Sequence, residues 1–302
     1  MAAQTILFPS SPIKPYLPDK AFEQEAKAAT AAGFKIALVE EGIFGSETRI
    51  RKLEKGEGQV IYRGWLMRPE RYGAIEEIIK ELGYSLLASR KEYEYCYHFP
   101  NWYQSVTDNV TPHSIWFPGK EFDLDVVTKD VEKEFGNSPV ILKDYVKSRK
   151  HEWYDACYMG SAADSENVKR VIKNFIKLQG DELVGGLVFR KFINLKRIGI
   201  HSKSSMPLSH EYRFFIRDKK ILHFMPYWSE GKYEATEIEW YLAQDTLKEV
   251  PACIQSQFYA MDVGQKEDGG WTIVEINDGG AAGIPGDNTD SFYKSLAENN
   301  ND

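Results

Sequence analysis

Apolar residues along the first third of the chain fall into two rhythms, short runs of strand length and longer stretches of helical period, separated by glycine, proline and charged turns. Residues 5–8 (Thr-Ile-Leu-Phe) predict a buried strand, ended by Pro9-Ser10-Ser11-Pro12, a turn beside which a small ligand has room. Asp19 opens an alanine-rich helix to Ala32, Gly33 stops it, and Phe34–Val39 predicts a second strand. The unit recurs. Gln59–Met67 is strand-like, Pro69 sits where a first helical turn tolerates it, Ala74–Leu82 has helical period, and Tyr84–Ala88 is a further strand. Strand–helix–strand repetition predicts a parallel α/β domain over residues 1–115. Without a GxGxxG it is not read as a dinucleotide site.

From residue 116 the pattern predicts mixed α+β structure. Asp123–Phe135 reads as a helix closed by Gly136, and a β-rich run from Ser138 ends in Lys143. Asp164–Leu178 is a helix with Val168, Val171, Ile172, Phe175 and Ile176 on one face, closed by Gly180. Leu187–Ile193 is a strand, and residues 196–209 read as a mobile, basic, serine-rich loop. His210–Ile216 and Ile221–Tyr227 form a strand pair about the turn 218–220. Glu237–Val250 is an amphipathic helix, and Phe258–Val263 and Trp271–Ile276 make a hairpin about the polar turn 266–270. A short helix precedes the C-terminus.

Acidic residues inside the apolar runs of that last hairpin change the picture. In an antiparallel pair the start of one strand lies beside the end of the other, so Asp262, Glu275 and Asn277 converge, the latter two sharing a face. Three oxygen donors on a rigid sheet suit Mg²⁺ arriving with a nucleotide, whereas a surface hairpin would carry its acids in the turn. Gly279-Gly280-Ala281-Ala282-Gly283 follows, a stretch that lets a phosphate approach free backbone N–H groups. Glu211, Arg213 and Phe215 share one strand face, and Arg63 is a cation beside a glycine within an apolar run, either salt-bridged at a strand end or bound to substrate or phosphate. The aromatic stretch 93–103 is assigned to packing between the two halves.

Composition narrows the alternatives. With 302 residues, 42% hydrophobic and 27% charged, the chain can bury a substantial core. A net charge of −7 argues against a generic hold on nucleic acid or an anionic membrane. No run approaches a membrane span, and three scattered cysteines suggest reduced thiols, so a cytoplasmic location is expected. The six histidines lack metal-ligand spacing, and no GxSxG suggests covalent catalysis.

Three segments together resemble a known family. Asp262-Val-Gly, then Val274-Glu-Ile-Asn277 and the glycine-rich loop, resemble the magnesium-binding end of the ATP-grasp superfamily. The run ending at Lys143 resembles its phosphate-contacting strand, and Arg190-Lys191-Phe192-Ile193 its adenine hinge, with Lys191 the better match for the base. The resemblance implies an ATP-grasp fold over residues 116–302, in lobes of about 116–190 and 191–302, preceded by the α/β domain. Lys143, Lys191 and Arg213 resemble the residues of the clade named for one arginine and two lysines. The implied ATP contacts are Lys143, Lys147, Arg190, Lys191, Phe192, Ile193, Glu211 and Arg213, with Mg²⁺ on Asp262, Glu275 and Asn277. Two departures stand out: Val146–His151 replaces a glycine-rich flap, and Ala260 stands where many ligases carry an arginine. Arg213 or Arg63, with Lys143, would then stabilise the transferred phosphoryl group. The implied activity is a carboxylate–amine ligation through an acylphosphate, on small-molecule or peptide substrates. The alternative is an ATP-binding peptide-modifying or assembly factor.

Overall fold

The computed structural model describes residues 4–40, 48–106, 110–200, 202, 207–233 and 249–299. The first strand, β1 (Thr5–Pro9), is buried along its whole length, as the centre of a sheet covered on both faces requires. Around it lie β2 (Lys35–Glu40), β3 (Arg49–Arg51), β4 (Gly58–Tyr62) and β5 (Tyr84–Leu86), in the order β3-β2-β1-β4-β5. All pairs are parallel except β2 with β3. Helix α1 (Glu23–Ala31) follows the turn capped by Asp19, and Gly33 beyond it has φ +93°, the left-handed conformation that glycine adopts without strain. Helix α2 (Pro69–Glu81) starts on its proline. The strand expected over Gln59–Met67 ends at Tyr62, because the Gly64 N–H leaves the sheet to donate to Gly280 O.

The aromatic stretch 93–103 lies in two short helices, α3 (Arg90–Tyr97) and α4 (Phe99–Tyr103). Ser89 and Glu92 cap α3 reciprocally, a capping box visible in the sequence that pattern reading passed over. Phe99, Trp102 and Tyr103 pack against Val188, Tyr212 and Phe214 from later parts of the chain.

A second sheet, in the order β6-β9-β7-β8, contains β6 (Ser114–Pro118), β7 (Val140–Asp144), β8 (Tyr158–Met159) and β9 (Gly186–Lys191). Helices α5 (Leu124–Phe135) and α7 (Ser165–Gln179) cover one face, burying Val131, Val168, Val171, Ile172 and Phe175 against Leu142 and Phe189. The short helix α6 (Trp153–Ala156) lies between β7 and β8. Contrary to the loop expected over 196–209, the described residues there include β10 (Arg197–Ile200) and β11 (Pro207–Ser209), an antiparallel pair. Ile198 and Leu208 give this basic stretch enough apolar character to pair.

The third sheet, in the order β13-β12-β14-β15, is antiparallel: β12 (Glu211–Arg217), β13 (Lys220–Pro226), β14 (Phe258–Gln265) and β15 (Trp271–Asp278). One face packs Phe215, Phe258 and Ala260 against β1, α1 and the C-terminal helix Thr289–Glu298. The other packs Tyr212, Phe214, Tyr259, Met261 and Ile276 against α3 and α4. The helix expected over Glu237–Val250 lies outside the described residues save its last two. Among the described residues no helix is long and apolar enough to cross a membrane.

Candidate functional site

The register of the third sheet builds a charged row. Arg213 pairs with Asp262, and Asp262 with Glu275, so three adjacent strands carry a cation and two carboxylates side by side. Asn277 lies two residues beyond Glu275, opposite Ala260. A bulge makes this possible: the register shifts between Asp262 and Val263, so that Val263 faces Ile273 and Val274 is the extra residue. Ile273 and Ile276 therefore both reach the core, three residues apart, while Glu275 is turned to the face of Asp262.

Arg213 holds Asp262 with both arms of its guanidinium, Nε to Oδ1 at 2.7 Å and Nη2 to Oδ2 at 2.8 Å, and gives Nη1 to Gly283 O at 2.9 Å. Burial alone would weaken this cation, but Asp262 raises its pKa and keeps it charged. Lys143, at the end of β7, donates to Glu275 Oε1 at 2.7 Å. Burial disfavours the Glu275 anion, yet Lys143, Lys150 and Arg190 overcome this and hold its pKa at about 2. Lys150 is the cation that sequence reading named only as part of a loop. Desolvation by its neighbours works against its charge, but Glu275, Tyr227, Glu211 and Asp262 raise its pKa, and the side chain keeps access to solvent. Burial lifts the Glu211 carboxyl; Ser209 and Lys150 pull against that lift, and Ser209 donates to its Oε1. The site thus gathers Lys143, Lys150 and Arg213 around Asp262, Glu275 and Glu211.

Three expected residues serve other ends. Arg63, expected beside the transferred phosphoryl group, is 1% exposed and fully engaged. It donates to Glu25, to Gly279 O and to Ala282 O, clamping the glycine-rich loop from behind. Arg190, expected at the nucleotide, donates to Val274 O, to Ile273 O at 2.9 Å and to Thr111 Oγ1 at 2.6 Å. It grips the bulge that aims Glu275, and burial lowers its pKa to about 10 despite Glu275. Lys147 lines a different space, with Arg149, on the side of the first sheet. Lys191 is exposed, on the opposite side of β9 from Arg190. Where a hinge was expected, the N–H groups of Lys191 and Phe192 are taken by His113 O and Pro139 O, and the Phe192 ring meets Tyr158 and Trp153 edge-on.

The glycine-rich loop does not present its amides freely. Asp278, which the sequence reading missed, accepts from Gly280 N at 2.8 Å and Ala281 N at 3.0 Å through Oδ1, and its carbonyl takes Ala282 N. The Asp-Gly-Gly order is an Asx-turn signal that could have revealed it. A Cβ at Gly280 would lie 2.5 Å from Tyr62 O, so the loop can sit this close to β4 only with glycine there.

For a magnesium–nucleotide complex the donor set is suitable in kind: two carboxylates and one amide, all oxygen donors, on two paired strands. Both carboxylates already face cations, so a metal would share or replace Arg213 and Lys143 as their partners. Among the described residues no group of three His, Cys, Asp or Glu side chains is arranged to hold a metal, so any ion needs Asn277 or the nucleotide's own oxygens to complete its shell.

A family model described as an ATP-grasp domain, the third family of the clade named for one arginine and two lysines, matches residues 134–296. No protein of curated function matches the sequence. Among solved structures, the D-cycloserine synthetase DcsG is similar at 13% identity and TM-score 0.61, with 99% of each chain covered. A RimK domain ATP-grasp protein from Sphaerobacter thermophilus is similar at 11% identity and TM-score 0.62, covering 98% of each. The ATP-grasp ligase PsnB, solved with a variant of its minimal precursor, Mg and ADP, is similar at 13% identity and TM-score 0.56, covering 99% of each. At these identities the likeness is one of fold.

Proposed function

This chain belongs to the ATP-grasp domains of the clade named for one arginine and two lysines, and from that membership we propose that it is an ATP- and magnesium-dependent ligase joining a carboxylate to an amine. The observation that carries the reading is the convergence of Lys143 from the second sheet on the Arg213–Asp262–Glu275 row of the third. On this reading residues 1–115 form the pre-grasp domain and 116–302 the grasp, with the nucleotide between its two lobes.

Asp262, Glu275 and Asn277 would hold Mg²⁺, whose charge supplies electrostatic relief for the phosphates. The remaining work falls to the chain's own side chains. Lys143 and Lys150 bind phosphate oxygens, and Arg213, on the strand beside Asp262, supplies the cation that Ala260 does not and stands beside the transferred group. The substrate carboxylate attacks the γ-phosphorus of ATP, the bond to the β-phosphate oxygen breaks, and ADP leaves. The amine nitrogen then attacks the acyl carbon, inorganic phosphate departs with the C–O bond electrons, and the nitrogen loses a proton. The cations lower the cost of gathering charge at both steps without a covalent enzyme intermediate.

Incubation with ATP, Mg²⁺ and pools of amino acids and peptides tests this, with ADP and new amides followed by mass spectrometry. ADP release that requires both a carboxylate and an amine is the expected result. Absence of any nucleotide-dependent thermal shift at millimolar ATP and Mg²⁺, or a shift equally large in Lys143→Ala, would overturn it.

A further inference from the structure

A cleft of about 1030 Å³ opens at the carboxyl ends of β1, β2 and β4, within the size range of small-molecule sites. The chain runs outward from β1 to β2 on one side and, through β4, to β5 on the other, so β1 and β4 meet at a topological switch point. Open α/β sheets bind their ligands outside the strand ends at such a point. The turn after β1, Pro9-Ser10-Ser11-Pro12, and the segment after β4, Trp65–Arg68, form the floor and one wall. Val146, Lys147 and Arg149 form the opposite wall. Lys150, the next residue, does not line the cleft but lies near enough to Glu275 and Asp262 for their charges to act on it, so one short segment borders the cleft with Lys147 and Arg149 and the charged row with Lys150.

The cleft is basic although the chain is acidic. Arg49, Arg68, Arg71, Lys147 and Arg149 line it, five cations against the three carboxylates Asp19, Glu40 and Glu182. One of those three, Glu40, is already held at 2.7 Å by Arg51, and of the cations Arg149 is held at 2.8 Å by Glu152 while Arg68 donates to Asp181 O. Trp65 and Leu66 leave apolar surface exposed beside the cations, at 52% and 38%. A site with several guanidinium groups and an apolar wall matches a carboxylate on an apolar body, since the guanidinium fork pairs with a carboxylate through two hydrogen bonds and fixes its direction.

We propose that this cleft binds the carboxylate-bearing substrate, an organic acid or acyl amino acid with an apolar side chain, and delivers it past the Lys147–Lys150 segment to the charged row. The proposal takes its chemistry from the ligase reading, but its binding step needs no nucleotide and no turnover.

The test is calorimetric titration of the full chain with a series of N-acetylated amino acids of apolar side chain, each against its own carboxamide, alongside titration with ADP and Mg²⁺. Arg49 and Arg71 are both exposed and stand outside the charged row, so Arg49→Gln and Arg71→Gln should fold and bind ADP as the wild type does. Acids binding at least about tenfold tighter than their carboxamides, with each variant losing about tenfold of the acid affinity alone, is the expected outcome. Binding of acids with ADP binding absent supports the cleft while removing the nucleotide reading. The proposal is overturned if no acid binds below about 10 mM, if acid and carboxamide bind alike, or if both variants bind acids as tightly as the wild type.

Discussion

Lys143 Nζ lies 2.7 Å from Glu275 Oε1, a contact that spans 132 residues of chain and ties the second sheet to the third. The lysine also stands 5.4 Å over the ring of Phe99, so the pair is backed by the aromatic layer between the sheets. In the absence of nucleotide each group neutralises the other. On the proposed reading, phosphate oxygens would give the same lysine a second anion to serve, and nucleotide binding would act on both sheets through that exchange.

Glu275→Gln is therefore expected to cut ATP-dependent turnover on the order of 100-fold, as loss of a preorganised charge at a phosphoryl-transfer site does. The sign of the pH effect follows from a pKa depressed from 4.5 to about 2. Its stabilising contribution is present above pH 4.5 and lost only as pH falls through 2, so Glu275 stays ionised across the working range. The rate profile between about pH 5 and 9 should accordingly carry no acid limb from this group. A limb near about pH 5 that disappears in Glu275→Gln would contradict the assignment.

Arg213 and Asp262 form a buried, two-pronged pair, and removing one partner strands the other. Arg213→Met is expected to lower unfolding free energy by about 3–5 kcal/mol in urea titration, whereas Arg213→Met with Asp262→Leu should recover most of the loss. Neither variant should turn over ATP. Recovery of activity in the double variant would show that the pair only holds the sheet together.

Much of this site was legible before the fold was known. Hairpin geometry alone put Asp262 beside Glu275, and two-residue spacing put Asn277 on the same face, because strand periodicity is a local rule. What escaped notice depends on a residue out of register or on partners far along the chain. The extra Val274 at the bulge leaves no mark in the hydrophobic pattern, so Arg190 read as a nucleotide contact when its guanidinium is occupied with the bulge carbonyls. Arg63 was ambiguous because its partners, Glu25 and the 279–282 loop, come from opposite ends of the chain. The pairing of β10 with β11 was hidden by a basic, serine-rich composition that outweighed its few apolar residues.

Arg190 acts through Glu275 and gives a test that separates aim from mere packing. Lysine keeps the charge at that position but cannot span two carbonyls and Thr111 Oγ1 as the guanidinium fork does. Arg190→Lys is expected to raise the Mg²⁺ concentration for half-maximal ADP release by about tenfold, in line with the effect of disturbing groups that orient a metal ligand. A lower melting temperature with an unchanged Mg²⁺ requirement would mean that Arg190 serves packing alone.

Asp278 takes two loop amides on Oδ1 while its Oδ2 is buried with no hydrogen-bond partner. Burial raises its pKa from 3.8 to about 7, against the opposing pull of the Ala281 and Gly280 amides. A carboxyl whose folded-state pKa is raised binds more protons folded than unfolded, so its stabilising effect is complete below pH 3.8 and drains away as pH rises through 7. A raised pKa of this size corresponds to a loss of roughly 4 kcal/mol over that window at the rate of about 1.4 kcal/mol per pH unit, an upper figure for a group that local opening can hydrate. Asp278→Asn keeps an oxygen for the two amides and cannot ionise. Wild-type stability in urea should therefore fall between about pH 4 and 7 and level off above that, while that of Asp278→Asn stays nearly level, the two curves converging toward the acid side. Parallel curves would place the pH dependence elsewhere and leave Asp278 ionised within the fold.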